Sequence, residues 1–438
     1  MKDGQAPMHA KIPATALFYF NGTFLERSNG AHARAASFLA FLQQRYERVI
    51  LYSYRNHPTC PWRDELIEQF KTSYPSIPLV LDESTRLTRL LTRLKNLLVA
   101  LLPAHTSAIL RMRLATAASQ YRHLLSTQPD LVLFVNYVDG LTQLNGLEPH
   151  SAVIDTHDVK FAGYNKRWNK RATTLQSLRK FRSEVALLDT VKAVIAISPT
   201  EAGFYRMVLT QPEVFYIPQF EIVAPVHEGA DPHGSFDYDL VFVGSENPVN
   251  VRGIMDFCRY AEPWLSRYRI AVCGNVGDQP EVAQYAASHP HIRLLGFVRD
   301  MTPIYRTSKA ALSPVDGTGL KIKIVDALQH GKPVFASRQA LDGLPAGYEQ
   351  SVLPIAQEAI EQLILEADVR LAAEKAARTY FRCLQRIGDR QRFADFLTQH
   401  VRPQLARQIS LAATTADRGR PAPRAPARQV DRRAPAGQ

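Results

Sequence analysis

Only four cysteines, Cys60, Cys258, Cys273 and Cys383, stand in a chain of 438 residues, and no two of them form a CxxC pair. That scatter excludes a cysteine zinc site and a disulfide framework, and a reducing compartment is expected. Long apolar runs are missing too. The longest lies near Leu97 to Leu102, far short of the roughly 20 residues a membrane-crossing helix needs. The amino-terminal stretch MKDGQAPMHAKIPATALFYF has a short apolar run and no small-residue cleavage pattern behind it, so it reads as a strand and export is not expected. A cytoplasmic protein is the expectation.

Acidic residues are absent from two segments. From Thr85 to Ser126 there are seven Lys or Arg and no acid, and from Lys166 to Arg182 there are seven more, again with none. With the Arg-rich tail from Asp417 these segments hold +18 of a formal net charge of +12, which leaves the remaining chain at −6. The basicity is therefore local and lies outside the α/β cores read below, so no nucleic-acid partner is expected. The run TRLTRLLTRLKNLLVALL sets Arg86, Arg89 and Arg93 among leucines at helical spacing. Such a helix, within residues 85–126, can lie on an anionic membrane surface. The other reading is a core-packed helix with a solvated Arg face.

What is present in quantity is apolar sequence, 46% of the chain, in short β-branched and aromatic runs that alternate with helical patterns. ALFYF, RVILYSY, IPLVLD, LVLFVNYV, AVIDTHD, AVIAIS and VFYIP form one series; LVFVGS, RIAVCGN, IRLLGF, AALSPV, PVFAS and SVLPI form a second. The fold class is α/β, two Rossmann-like domains facing a central cleft. Boundaries are expected at 1–220 for an acceptor domain and 221–237 for a linker. A donor domain is expected at 238–360, helices packing back on the first domain at 361–413, and a disordered Pro/Ala/Arg tail at 414–438.

The segment Ser313 to Gly331, SPVDGTGLKIKIVDALQHG, carries the strongest chemical signal. Gly317 and Gly319 allow a tight turn, and the helix that follows offers free N–H groups and a positive dipole end to an anion. Lys321 and Lys323 add charge there; two apart on a helix, at most one is expected to face a phosphate. Asp326, read as two turns into the helix, is placed for ribose hydroxyls. An ordinary strand, glycine turn and helix would read the same way.

From Asp239 to Ser337 the order DLVFVGS, NVRGI, RIAVCGN, IRLLGF and then VDGTGLKIKIVDALQHGKPVFAS resembles the donor-binding domain of group 1, family 4-like glycosyltransferases of the GT-B fold. The resemblance implies that Arg252, before Gly253, contacts the diphosphate, and that Gly296, Phe297 and Val298 border the base. It places Gly30, after Asn29, near the donor sugar, and His157 on the transferred sugar, with Asp158 beside it as the second catalytic candidate. Asp316, Gly317, Thr318, Gly319, Leu320, Lys321, Lys323 and Asp326 complete the donor set. Such families often carry two Glu eight positions apart; here Thr318 takes the first place and Asp326 the second, with Asp316 a substitute acid. Ser245 stands where a first basic residue is common. Ser198 and Glu201 have the spacing of a helix capping box.

The implied reaction is retaining sugar transfer, in cell-surface polysaccharide synthesis, from a UDP- or GDP-linked donor to a glycan or lipid-linked acceptor. No metal and no other cofactor is expected, and the protein is placed in the cytoplasm, peripherally on the inner membrane face. The alternatives are a catalytically retired GT-B assembly component, which Thr318 keeps open, and a sugar-nucleotide epimerase.

Overall fold

The computed structural model describes residues 11–26, 30–113, 119–128, 130–144, 152–168, 170–220, 235–317 and 319–400. Asn29, Thr318, most of the expected linker and everything beyond residue 400, the expected tail included, lie outside the described residues.

The first unit begins with β1 (Ile12–Tyr19), α1 (Gly30–Arg45), β2 (Tyr46–Tyr54), α2 (Asp64–Ser73) and β3 (Leu79–Asp82). Three helices follow in succession, α3 (Arg86–Ala100), α4 (Ala104–Arg113) and α5 (Ser119–Thr127). The unit then runs through β4 (Leu131–Asn136), β5 (Val153–Asp155), α6 (Lys160–Arg167), α7 (Leu175–Leu188), β6 (Ala193–Ala196), α8 (Pro199–Val208) and β7 (Glu213–Tyr216). Its seven strands are parallel in the order β3-β2-β1-β4-β5-β6-β7. Phe18 and Phe134 pack against Phe38 of α1 on one face, and Leu17, Tyr19, Leu133 and Val135 face Met112, Tyr121 and Leu187 on the other. Burial on both faces is why these strands read as continuous apolar runs.

The second unit contains β8 (Tyr238–Val243), α9 (Pro248–Leu265), β9 (Ile270–Cys273), α10 (Pro280–Ala287), β10 (Ile292–Gly296) and α11 (Thr302–Arg306). It continues with β11 (Ser308–Ser313), α12 (Ile322–Gln329), β12 (Val334–Ala336), β13 (Val352–Pro354), α13 (Gln357–Leu365) and α14 (Ala367–Arg386). Its six parallel strands take the order β10-β9-β8-β11-β12-β13 around one core. Helix starts follow local chemistry: Thr174 accepts from the Ser177 N–H, Ser198 from Glu201 and Asn247 from Val249, with Pro199 and Pro248 in the first turn.

Two expectations change. The chain returns to the first unit only near residue 388, not at 361, because Ile360, Leu363, Phe381 and Leu384 of α13 and α14 belong to the second core. The return is made by Asp389, which exchanges hydrogen bonds with Tyr216, and by residues 390–400, whose Phe393, Phe396 and Leu397 enter the first core. Second, α3 is not packed through its leucines: Leu87, Leu90, Leu91, Leu94, Leu97 and Leu98 are exposed, and its buried side chain is Val99. Among the described residues no helix is long and apolar enough to cross a membrane.

Candidate active site

In each sheet the strand order reverses between two neighbours, β1 and β4 in the first and β8 and β11 in the second, and open parallel sheets bind ligands at the carboxyl ends beside such a reversal. Residues from both sets of ends, Tyr137 and Asp158 on one side and Gly244, Phe297 and Asp316 on the other, line one cavity of about 2230 Å³.

The second unit supplies the wall built around the start of α12. Helix α12 starts at Ile322, so Lys321 is its N-cap residue, with extended backbone (φ −81°, ψ 100°), and only Lys323 lies within the helix. Both lysines therefore line the cavity, contrary to the expectation drawn from helical spacing. Lys321 Nζ donates to the carbonyls of Gly317 (3.1 Å) and Gly319 (2.7 Å). Lys323 Nζ donates to Asn250 Oδ1 (2.8 Å) and sits 4.7 Å from the centre of the Phe242 ring. Burial, helped in each case by a neighbouring lysine, lowers Lys321 to about 8 and Lys323 to about 7. An arriving anion would reverse that shift.

Asp326 lies just over one turn into α12 and also lines the cavity. Burial raises its carboxyl above the usual range, against the pull of His330, whose Nδ1 is 3.9 Å away. Phe297, Val298, Gly317 and Leu320 line the same wall. Gly296 does not; its carbonyl accepts from the Gly274 N–H at 2.6 Å, and that bond shapes the turn that presents Phe297. Arg252 also leaves the cavity. It sits in the first turns of α9, exposed, and reaches the Lys166 carbonyl at 3.5 Å, while Asn250, two positions earlier, faces the cavity in its place. The glycine after it is a packing requirement: a Cβ on Gly253 would stand 2.4 Å from the Pro314 carbonyl oxygen.

The first unit meets this wall closely. A Cβ on Gly30 would lie 2.8 Å from Ile322, so the start of α1 touches the start of α12, with Gly30 at the cavity edge. Gly319 has φ +71°, and a Cβ there would crowd the His157 carbonyl (3.2 Å) and Glu201 Oε1 (3.1 Å). It faces the first unit and does not line the cavity. Lys166 spans the gap, pairing with Asp316 at 3.0 Å and Asp342 at 3.4 Å and donating to the Gly317 carbonyl at 3.1 Å.

His157 and Asp158 divide their expected roles. Strand β5 ends at Asp155, so His157 falls two residues beyond it on a turn with φ +61°. Its ring stacks on Tyr137 at 4.4 Å, with Nε2 3.1 Å from Asp155 and 2.6 Å from the Asn136 amide, and it does not line the cavity. Asp158 does, with Oδ1 buried and without a hydrogen-bond partner, and burial raises its pKa against the pull of His157 and Lys321.

Several contributors were not read from the sequence. Arg34 of α1 holds Asp155 through three contacts of 2.7–3.0 Å and donates to the Pro218 carbonyl. Burial would raise Asp155, but Arg34 and His157 prevail and hold it at about 2. Lys160 lines the cavity, is paired with Asp139, and is lowered by burial to about 8. Its helix is held by Glu184 of α7, whose carboxyl accepts from the N–H groups of Lys160 (2.9 Å) and Phe161 (2.8 Å). Burial lifts Glu184 to about 7. Ser198 caps α8 as its spacing suggested, but the Glu201 side chain turns inward, where burial and Asp158 raise it to about 8. The lysines of α6 follow directly on the His-Asp turn, the one local signal that could have nominated them.

Two facing parallel α/β units with a cleft at their switch points define the GT-B architecture. Solved structures of that fold superpose on nearly the whole chain. Sucrose-phosphate synthase from Thermosynechococcus elongatus aligns at TM-score 0.55 and 13% identity, covering 91% of this chain and 100% of its own. WaaG, a glycosyltransferase of lipopolysaccharide biosynthesis, aligns at 0.54 and 15%, covering 88% and 99%. Anabaena HepE in complex with UDP-glucose aligns at 0.53 and 14%, covering 90% and 99%. No curated protein matches the sequence. Residues 237–376, which span most of the second unit, match the family described as glycosyl transferases group 1.

Proposed function

We propose that the protein moves a sugar from a UDP- or GDP-linked donor to a hydroxyl of a glycan or lipid-linked acceptor, with retention of anomeric configuration, in the synthesis of cell-surface polysaccharide. The observation that carries this is the start of α12, where a helix N-terminus and two half-buried lysines face one cavity. Sugar transfer leaves a nucleotide diphosphate behind, and the charge developing on it needs countercharge placed in advance. Lys321, Lys323 and the free N–H groups of α12 supply it from protein groups, which supports a reaction without metal or other cofactor.

The rest of the donor follows from that anchor. Asp326 is placed to accept from ribose hydroxyls, and Phe297 and Val298 to border the base. Across the cleft, the unpaired Oδ1 of Asp158 is the group offered to a hydroxyl of the transferred sugar or the acceptor. His157 then acts as a positioning residue, holding the turn that presents Asp158, in place of touching the sugar itself. The UDP-glucose bound to HepE makes uridine donors the first to test.

Isothermal calorimetry with UDP, GDP and their glucose and mannose conjugates tests the reading. At least one is expected to bind, with Lys323→Met weakening it about 10- to 100-fold, the worth of a charged hydrogen bond. No binding by any of them to the folded protein would sink it.

A further inference from the structure

Helix α3 is built inside out. A surface helix normally turns its apolar stripe to the core, yet here Thr92 and Asn96 line the cavity and Val99 is buried, while the leucines fill the opposite side. Leu97, Leu98 and Leu101 are 69, 71 and 85% exposed. The stripe also extends beyond its own helix. Arg179 of α7 donates to the carbonyls of Ala100 (2.6 Å) and Leu102 (3.1 Å), which docks the start of α7 beside the end of α3. Leu175 in the first turn of α7 is 74% exposed, and Trp168 at the end of α6 is exposed as well.

We infer that α3, with Trp168 and the first turn of α7, docks on an anionic lipid bilayer, and that the acceptor reaches the cavity from that bilayer. The second half rests on the transfer reaction proposed above. Charge selects the occupant. Arg86, Arg89, Arg93 and Lys95 stand on α3 with no acid on the helix, and Lys170, Arg171, Lys180 and Arg182 follow in and around α7. Leucines that enter the headgroup region with basic side chains at their flanks match an anionic interface. A second copy of this chain fits poorly, because a two-fold contact through α3 would set arginine against arginine. The face is also continuous with the cleft: Thr92 and Asn96 of α3, Trp168, and Gln176 of α7 line the same cavity as Lys321 and Asp326. Docking therefore sets the cavity mouth at the lipid surface, where an amphiphilic acceptor enters without leaving the bilayer.

Co-sedimentation of the full chain with vesicles tests the docking. Binding is expected to phosphatidylcholine vesicles containing phosphatidylglycerol, falling with added salt, and not to phosphatidylcholine alone. The triple variant Leu94→Glu, Leu97→Glu, Leu98→Glu is expected to lose binding by at least ~10-fold, with unchanged circular dichroism because these side chains are exposed. A wild-type protein that stays in the supernatant, a triple variant that pellets like wild type, or a leucine-dependent dimer in sedimentation velocity would each overturn it. Nucleotide-sugar binding of wild type and variant without vesicles is expected to be equal; its absence in both counts against the donor site and leaves docking standing. For the acceptor, label from the donor is expected in a membrane-lipid extract embedded in the vesicles with wild type and not with the variant. Labelling of water-soluble glycans alone would overturn the lipid-borne acceptor.

Discussion

Arg34 shows how much of this site is held from one buried charge. It is almost fully enclosed, as is its partner Asp155, and its guanidinium also lies 4.6 Å from the centre of the Phe220 ring. Removing one partner of such a pair strands the other charge, so Arg34→Met is expected to cost the first unit about 3–5 kcal/mol in urea unfolding. The pH dependence carries a definite sign. Asp155 is held at about 2 in the folded chain, below the ordinary carboxylate near ~3.9, so its contribution is present above that ordinary value and is lost as pH falls toward 2. Arg34→Met should flatten that part of the acid-denaturation profile, and an unchanged profile would contradict the account. In the run AHARAASF, Arg34 reads as a helix surface residue; its partner is 121 positions away, and no spacing rule reaches that far. His157 was misplaced for a nearer reason. The strand stops at Asp155 and Tyr137 takes φ +65°, so the imidazole tucks beneath a ring and leaves the cavity to Asp158.

At the scale of elements, α12 is the piece whose chemistry was most legible. Its glycine turn, its lysines and Asp326 are local features, and a helix start needs only local sequence to be recognised. The contact made by Arg252 was not legible, because a side chain in the first turns of α9 points wherever that helix is rolled. The roll follows from packing Gly253 onto Pro314. The depressed lysines make the element testable. In the free protein Lys323 and Lys321 lose protons near 7 and 8, and a bound diphosphate favours their charged forms. Donor binding at about pH 8 should therefore take up protons, and affinity should fall as pH rises above 8. Calorimetry in buffers of different ionisation enthalpy measures this directly; equal apparent enthalpies at pH 8 would mean that the lysines do not meet the ligand.

For the whole molecule, the decisive connection is the return of the chain to its first unit. Phe393 packs against Phe41 and Phe215, 5.9 and 5.1 Å between ring centres, inside the first core although it follows the entire second unit. Phe393→Ala is expected to destabilise the first unit by about 3–5 kcal/mol while leaving the unfolding of the second unaltered, which differential scanning calorimetry would resolve as a shift of one transition. A shift of both together would mean that the units unfold as one. Helices within 361–413 were expected against the first domain; where along the chain that return begins was settled by where α14 ends and by the Asp389–Tyr216 bonds.

The amino-acid sequence by itself determined the two series of buried parallel strands and the glycine turn before α12, which are written in short-range periodicity and local backbone chemistry. The likeness of the second domain to group 1 glycosyltransferases rests on the order of its motifs. Only the tertiary structure decided that both lysines face the cleft, that Asp158 and not His157 borders it, and that α3 turns its leucines outward. Each of these depends on how a helix or turn is rolled against neighbours far away in the chain, and an amphipathic pattern states that a helix has two faces without stating which one the protein covers.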